Sequence, residues 1–421
     1  MDREVLKQII MDQRKYRIPK NLYDRSLTET IYHFANDPNI IILSGIRRCG
    51  KSTIQRMLQL HQDHVDDYYF NFDDERLVQF QISDFQTLLE VFIELFGDQS
   101  RFYFDEIQNI DGWERFVRRL YEQGKKIYIT GSNAKLLSKE LGTHLTGRYI
   151  QLEVYPLSFL EIIRHQFPQA LSQKALSTTD IGMMQRHFSH YLKNGGIPEY
   201  VEFEKTQYLQ DLLEGILYRD IIVRYKIQDE KALRETVYYL ASNIGKEFSY
   251  ANLAKIVGVN PHTLANYCDF LEQCYLYFFI CRYSHSLQKQ MQSNKKNYMI
   301  DPALIRITGF RVSEDRGRLL ENVVFLHLKM QGKEIYFHKE KKECDFIVRE
   351  KTRIVQAIQV TTSLSNPEVK KRELEGLLEA MNTYDLREGI ILTEGEQETM
   401  QIDGFTILAM PIWKWLLSSK E

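Results

Sequence analysis

At 421 residues the chain is longer than one typical domain, so two to four are expected. With 43% hydrophobic and 27% charged residues, its composition excludes a disordered or fibrous chain. The net charge of -2 excludes a globally basic binder, so any nucleic-acid surface has to be local.

The five cysteines are odd in number and form no C-x-x-C pair. That argues against a disulfide framework and a structural zinc site, and suits a reducing cytoplasm. The start, Met1-Asp2-Arg3-Glu4, is charged and lacks a signal-peptide core. The longest apolar run, Cys274 to Cys281, is too short to span a bilayer. The expectation is a cytoplasmic protein without a membrane partner.

The chain opens on an amphipathic stretch (Val5, Ile9, Ile10) and the basic cluster Arg14-Lys15-Tyr16-Arg17-Ile18-Pro19. That cluster could approach a nucleotide or be a solvated helix end. A second helix runs through Leu27, Ile31 and Phe34. Ile40 to Leu43 then read as a buried parallel strand. Next comes Gly45-Ile46-Arg47-Arg48-Cys49-Gly50-Lys51-Ser52-Thr53, followed by Ile54, Met57, Leu58 and Leu60 at helical spacing. Strand, glycine loop and helix in that order form a phosphate cradle: loop N–H groups and a helix N-terminus both favour an anion. Lys51 would reach the β- and γ-phosphates of ATP, and the Ser52 hydroxyl would coordinate Mg²⁺.

A second strand, Asp67 to Phe72, ends in Asp73-Asp74-Glu75, which either face the nucleotide crevice or cap the next helix. The third, Phe102 to Phe104, ends in Asp105-Glu106. Asp105 would hold Mg²⁺ and Glu106 would polarise the attacking water. A fourth strand, Lys126 to Thr130, leads to Gly131-Ser132-Asn133. Thr130, Ser132 and Asn133 are candidates to touch the γ-phosphate or the water, and Ser132 also suits a helix cap. A helix through Leu136, Leu137 and Leu141 precedes Thr146-Gly147-Arg148 and a fifth strand, Tyr149 to Tyr155. Arg148 could bring charge to the transition state in its own subunit or a neighbour's; the plainer alternative is a surface ion pair.

The glycine loop, Phe104-Asp105-Glu106-Ile107-Gln108, Thr130-Gly131-Ser132-Asn133 and Gly147-Arg148 with Tyr155-Pro156-Leu157-Ser158-Phe159 together resemble one family. It comprises the prokaryotic AAA-like ATPases that carry a C-terminal domain of unknown function with a restriction-nuclease-like core. The resemblance continues through Gly195-Gly196-Ile197-Pro198-Glu199 and runs almost to the C-terminus. It implies an α/β P-loop NTPase of the additional-strand catalytic-glutamate type, with parallel strand order 5-1-4-3-2.

The expected division is an ATPase core (1–156), a helical lid (157–240), a winged helix-turn-helix (241–310) and a nuclease-like domain (311–421). Arg219 and Arg224 are candidate nucleotide sensors on the lid. In the winged module, Ser249 caps one helix, Gly258 makes the turn, and Asn260-Pro261 starts the next. Leu276 to Cys281 form a wing strand. The segment Arg282 to Tyr298, with Arg282, Lys289, Lys295 and Lys296 and no acid, could contact duplex DNA phosphates. The alternative is a connector or a protein-binding module.

In the last block the resemblance implies a helix glutamate, a strand aspartate and a Glu-x-Lys pair. Glu321 and Asp345 match the first two, whereas Gln359 and Thr361 occupy the pair. One carboxylate and the lysine are therefore missing, and nuclease activity is not expected. The sequence predicts an ATP-hydrolysing switch or remodeller acting on DNA or a DNA-bound partner, and a candidate homo-oligomer. The alternatives are an ATP-gated nuclease in defence against foreign DNA and a slow-turnover protein scaffold.

Overall fold

The structure, a computed structural model, describes residues 1–15, 21–61, 67–133, 145–173, 175–310 and 316–418. The predicted helix through Leu136, Leu137 and Leu141 and most of the basic cluster before Pro19 lie outside these residues. The chain forms two compact units, Met1–Tyr155 with Gln273–Tyr275, and Pro156–Glu272 with Leu276–Glu421.

The first unit begins with α1 (Arg3–Arg14) and α2 (Ser26–His33), then alternates β1 (Ile40–Ser44), α3 (Lys51–His61), β2 (Tyr68–Asn71), α4 (Asp84–Phe96), β3 (Arg101–Asp105), α5 (Trp113–Glu122), β4 (Lys126–Gly131) and β5 (Tyr149–Glu153). The five strands are parallel in the order β2-β3-β4-β1-β5. This is the P-loop NTPase order, with β4 inserted between β1 and β3. Ile40 to Leu43 are fully buried, as an unbroken apolar run in a central parallel strand requires. Phe70, Phe72, Phe85, Phe102, Phe104 and Phe116 fill the core beside β2 and β3.

Two local features depart from the simplest reading of the N-terminal stretch. Leu6 joins Ile9 and Ile10 in the core, while Val5 stays exposed. Gln13 closes the open edge of β2: its Oε1 accepts from Asn71 N–H (2.8 Å) and its Nε2 donates to Asn71 O (3.0 Å). A side-chain amide thereby replaces a sixth strand on an otherwise unpaired edge.

The second unit starts with helices α6 (Phe159–Gln166), α7 (Thr178–Asn194), α8 (Pro198–Phe203) and α9 (Thr206–Gly215), a π-helical segment (Ile216–Val223) and α10 (Glu230–Ser242). Capping boxes, Ser158 with Glu161 and Ser177 with Asp180, start α6 and α7. A small antiparallel sheet follows, built from β6 (Glu247–Phe248), β7 (Tyr277–Cys281) and β8 (Lys295–Met299) in the order β6-β8-β7. Between β6 and β7 stand α11 (Tyr250–Val257) and α12 (Pro261–Gln273); α13 (Leu287–Gln292) lies between β7 and β8. The basic segment read as a wing tip therefore ends earlier than the sequence suggests. Residues 295–299 are a strand, and only residues 282–294 connect the two.

After α14 (Pro302–Thr308) and α15 (Arg316–Met330), a mixed sheet completes the unit. It comprises β9 (Glu334–Lys339), β10 (Glu343–Glu350), β11 (Arg353–Val360), α16 (Pro367–Thr383), β12 (Glu388–Thr393), β13 (Glu398–Ile402) and β14 (Phe405–Pro411), and α17 (Ile412–Ser418) ends it. The strand order is β13-β14-β12-β11-β10-β9. α16 buries Leu377, Ala380 and Met381 against Ile347, Ala357 and Ile391. Phe325 of α15 meets Phe346, which alternates with Ile347 along β10 and so points to the opposite face. Trp413, Trp415 and Leu416 are buried, so the closing Trp-Lys-Trp-Leu run is packing.

Candidate functional site

The loop after β1 owes its shape to two glycines with different reasons. A Cβ on Gly45 would lie 2.1 Å from Val154 O, so no side chain fits there. Gly50 has φ +100°, a left-handed conformation that side chains disfavour. Arg48 also lies in the left-handed region (φ 67°), at a cost of about 1–3 kcal/mol that the surroundings must hold. Part of that support is Arg25, which sequence reasoning missed. Its guanidinium, almost fully buried, donates to Cys49 O (3.0 Å) and Tyr155 O (2.6 Å). A single arginine ahead of a helix carries no signal of this in the sequence.

α3 starts at Lys51 and runs away from the loop, pinned to the sheet by Gln55, which donates to Phe104 O and Tyr128 O. Lys51 is 4% exposed, and its ammonium donates to Gly45 O and Ile46 O, both at 3.0 Å. The same nitrogen lies 3.9 Å from Glu106 Oε1. Main-chain carbonyls thus hold this charge, with one carboxylate at the limit of an ion pair.

The two acids at the end of β3 sit together because the chain turns there. Asp105 ends the strand, while Glu106 has φ 52°. Strand alternation would send the two side chains to opposite faces. The left-handed kink instead brings both to the loop. Thr130 Oγ1 ties them: it donates to an Asp105 oxygen and accepts from Glu106 N–H (3.1 Å). Asp105 also accepts from Tyr69 Oη (3.1 Å) and from the Ser52 hydroxyl. Burial and the neighbouring Glu106 push the Asp105 carboxyl up. Burial alone would raise Glu106 as well, but Lys51 and Arg47, with hydrogen bonds from Gln108 and Ser132, hold it below the usual range.

Of the three polar candidates at the end of β4, Thr130 and Ser132 touch the acids, Ser132 Oγ reaching Glu106 Oε2 at 3.2 Å. Asn133 is fully buried. Gln108 Nε2 donates to Glu106, and its buried Oε1 has no hydrogen-bond partner among the described residues. The sequence offers Gln108 only as a letter of the Phe-Asp-Glu-Ile-Gln run. Asp74 caps the short helical turn after β2 by accepting from Arg76 N–H, and Asp73 lies 3.6 Å from Arg47. That acidic triplet thus divides between capping and pairing with the loop.

Arg148 lies elsewhere. β5 begins at Tyr149 opposite Ile40, and Arg148 O accepts from Ile40 N–H (2.9 Å), at the end of β1 away from the loop. Five strand residues separate it from the phosphate loop by roughly 13–16 Å. Its guanidinium stands 3.7 Å from Glu122 and over the Tyr121 ring. A role in its own subunit's site is excluded by this topology.

A family model described as an AAA domain matches residues 37–163. Two more, described as domains of unknown function DUF8612 and DUF4143, match residues 185–313 and 316–415. The uncharacterized protein MJ1544 of Methanocaldococcus jannaschii is 30% identical over 442 residues, covering 99% of this chain and 96% of that protein. The chain belongs to this family of AAA-domain proteins. An uncharacterized protein of Haemophilus influenzae is 28% identical over 404 residues, covering 91% of this chain and 96% of the relative. Among solved structures, AMPPCP-bound DnaA from Aquifex aeolicus is 15% identical, covering 61% of this chain and 89% of that one. Its TM-score of 0.26 is too low to carry an argument.

The second unit of this AAA-family protein contains a charged cavity of about 850 Å³. Glu321, Asp345 and Gln359 line it, as the sequence grouping anticipates, together with Glu343 and Glu373. Gln359 Oε1 accepts from Asp345 N–H (3.3 Å), and its Nε2 donates to Glu373. Thr361 does not belong to the group: its hydroxyl turns to Ser363 O (3.4 Å), outside the cavity wall.

The wing lysines need a second correction. Arg282 and Lys289 are exposed, but Lys296 is 1% exposed and inside the cavity wall, and Lys295 Nζ reaches Cys281 Sγ (3.1 Å). Lys296 lies in a strand whose inward side packs on the mixed sheet, so it is no free phosphate contact. Arg219 and Arg224 lie in and directly after the π-helical segment of the second unit. No helix among the described residues is long and apolar enough to cross a membrane.

Proposed function

We propose that the first unit binds ATP with Mg²⁺ and hydrolyses it, and that the cycle acts on DNA or a DNA-associated partner. The observation that carries the ATPase reading is the convergence of Lys51, Ser52, Asp105 and Glu106 at one glycine loop. Lys51 would exchange its two carbonyl partners for β- and γ-phosphate oxygens. The hydroxyl of Ser52 and the carboxylate of Asp105, already hydrogen-bonded to one another, are a hard-oxygen pair that fits Mg²⁺. When bound, that ion would neutralise charge developing on the phosphates. Glu106, held ionised at neutral pH, is the group able to accept a proton from water. Thr130, Ser132 and Gln108 orient it.

Arg148, removed from its own loop, is assigned to a neighbouring copy's nucleotide, which makes the working form a homo-oligomer. DNA contact is supported by the exposed Arg282 and Lys289 between β7 and β8. Turnover is to be measured with and without duplex DNA, and binding across a salt series. Duplex DNA is expected to raise the rate, and Arg282→Gln with Lys289→Gln to flatten the salt slope by about two units. A rate and slope insensitive to these changes would leave the ATPase and remove the DNA arm, in favour of a protein partner.

A further inference from the structure

The second unit buries a lysine that nucleotide chemistry does not use. Lys296 Nζ in β8 lies 2.8 Å from Glu343 Oε1, 3.2 Å from Glu321 Oε1 and 3.4 Å from Asp345 Oδ1. The carboxylates come from two elements, α15 and β10, and the ammonium from a third. Burial by itself would strip the proton from such a lysine. Here Glu321, Tyr298, Asp345 and Glu343 outweigh burial and hold Lys296 charged.

The carboxylates are also held by groups other than the lysine. Tyr298 Oη donates to Glu321 Oε1 (2.7 Å), and Val360 N–H donates to Asp345 Oδ2 (2.9 Å). A Cβ on Gly245 would meet Glu321 Oε2 at 2.7 Å, so the bare backbone of a glycine is what leaves that carboxylate its place. Three carboxyl groups converging on one point of an open cavity would repel one another without a cation there; burial and the neighbouring Glu321 already push Asp345 up to about 8, against the pull of Lys296. Such a set of hard oxygen donors suits Mg²⁺ or Mn²⁺, but the chain's own ammonium already stands at its centre. Among the described residues, no group of three or more His, Cys, Asp or Glu side chains is arranged to hold a metal ion.

We propose that Lys296 is the built-in cation of this cleft, occupying the position a divalent metal ion would take between Glu321, Glu343 and Asp345 and keeping the cleft metal-free. The neutral amide of Gln359 fits this arrangement, since it bridges Asp345 and Glu373 by hydrogen bonds without adding charge. The cleft then serves as a folded joint between the β6-β8-β7 sheet and the mixed sheet, with no metal with which to activate water.

The full-length, nucleotide-free protein is dialysed against Mn²⁺, and melting is followed in chelator and in Mn²⁺. The wild-type protein is expected to bind no Mn²⁺ in a manner that Asp345→Asn removes. Lys296→Met is expected to gain one Mn²⁺ per chain, to melt lower than wild type in chelator, and to recover with Mn²⁺. Adding Asp345→Asn to Lys296→Met should abolish the gain. Stoichiometric wild-type binding lost on Asp345→Asn would overturn the inference, making Lys296 a companion of a metal instead of its substitute. A folded Lys296→Met that takes up no Mn²⁺ would overturn it equally. If Lys296→Met does not fold under either condition, the wild-type dialysis with its Asp345→Asn control decides alone.

Discussion

Among the described residues each unit buries one lysine, and the two are held in opposite ways. Lys51 rests on two main-chain carbonyls at 3.0 Å, with a single carboxylate at 3.9 Å. Lys296 is gripped by three carboxylates at 2.8–3.4 Å. A carbonyl is a weak, neutral partner that a phosphate oxygen can displace at small cost. Three fixed carboxylates neutralise an ammonium and hold it against any ligand. Burial is nearly equal in the two cases, so exposure does not distinguish a ligand-binding lysine from a structural one. The charge of its partners does.

The largest expected effect tests the loosely held lysine. Lys51→Ala should abolish ATP turnover and leave melting nearly unchanged, because what is lost is two contacts to neutral carbonyls and one carboxylate at the limit of an ion pair. Near-normal turnover in a folded variant would break the contrast at its first term.

Arg148→Ala should lower turnover by about 10³-fold or more if the guanidinium serves a neighbouring nucleotide. The decisive version mixes Arg148→Ala with Lys51→Ala chains. A hetero-oligomer pairs an intact loop with an intact arginine, so mixing should restore part of the rate. No recovery in a stable mixed assembly would remove the trans assignment.

Glu106→Gln should keep binding ATP with Mg²⁺ and slow hydrolysis by about 10²–10⁴-fold, since the amide keeps the shape and loses the base. Asp105→Ala should weaken Mg²⁺-dependent binding instead. Equal affinities and rates for the two variants would show that the kink at Glu106 does not divide their roles.

The last effect falls on stability. Removing the gripped lysine leaves uncompensated buried carboxylates, so Lys296→Met should cost the second unit about 3–5 kcal/mol in chelator. Turnover per folded molecule should stay as in wild type. Denaturant melts read with ATPase assays on the same samples check this. A variant as stable as wild type would mean that the carboxylates are neutralised by protons and that the two lysines differ less than their distances imply.

Much of the nucleotide site was legible because its determinants are local. A strand, a glycine loop, a lysine and a serine occur in one short stretch, and the acid pair ends an apolar strand. Periodicity and turn chemistry act between near neighbours, so the chain writes them in order. The parallel sheet order came from the resemblance to a family, and the strand pairing has it. Arg25 and Thr130 were less visible, because each acts through two hydrogen bonds to residues brought near by the fold, and Gln108 because it is the kinked backbone at Glu106 that turns the acid toward its amide.

What the sequence determined by itself was thus the phosphate loop and the acid pair beside it. The tertiary structure alone decided that Arg148 stands at the wrong end of the sheet for its own loop. It alone decided that Lys296 leaves the basic segment between Arg282 and Tyr298 for a nest of carboxylates. The physical reason is that charge interactions depend on distance in space. Glu321, Glu343 and Asp345 are 25, 47 and 49 residues from Lys296 along the chain and within 3.4 Å of it in the fold.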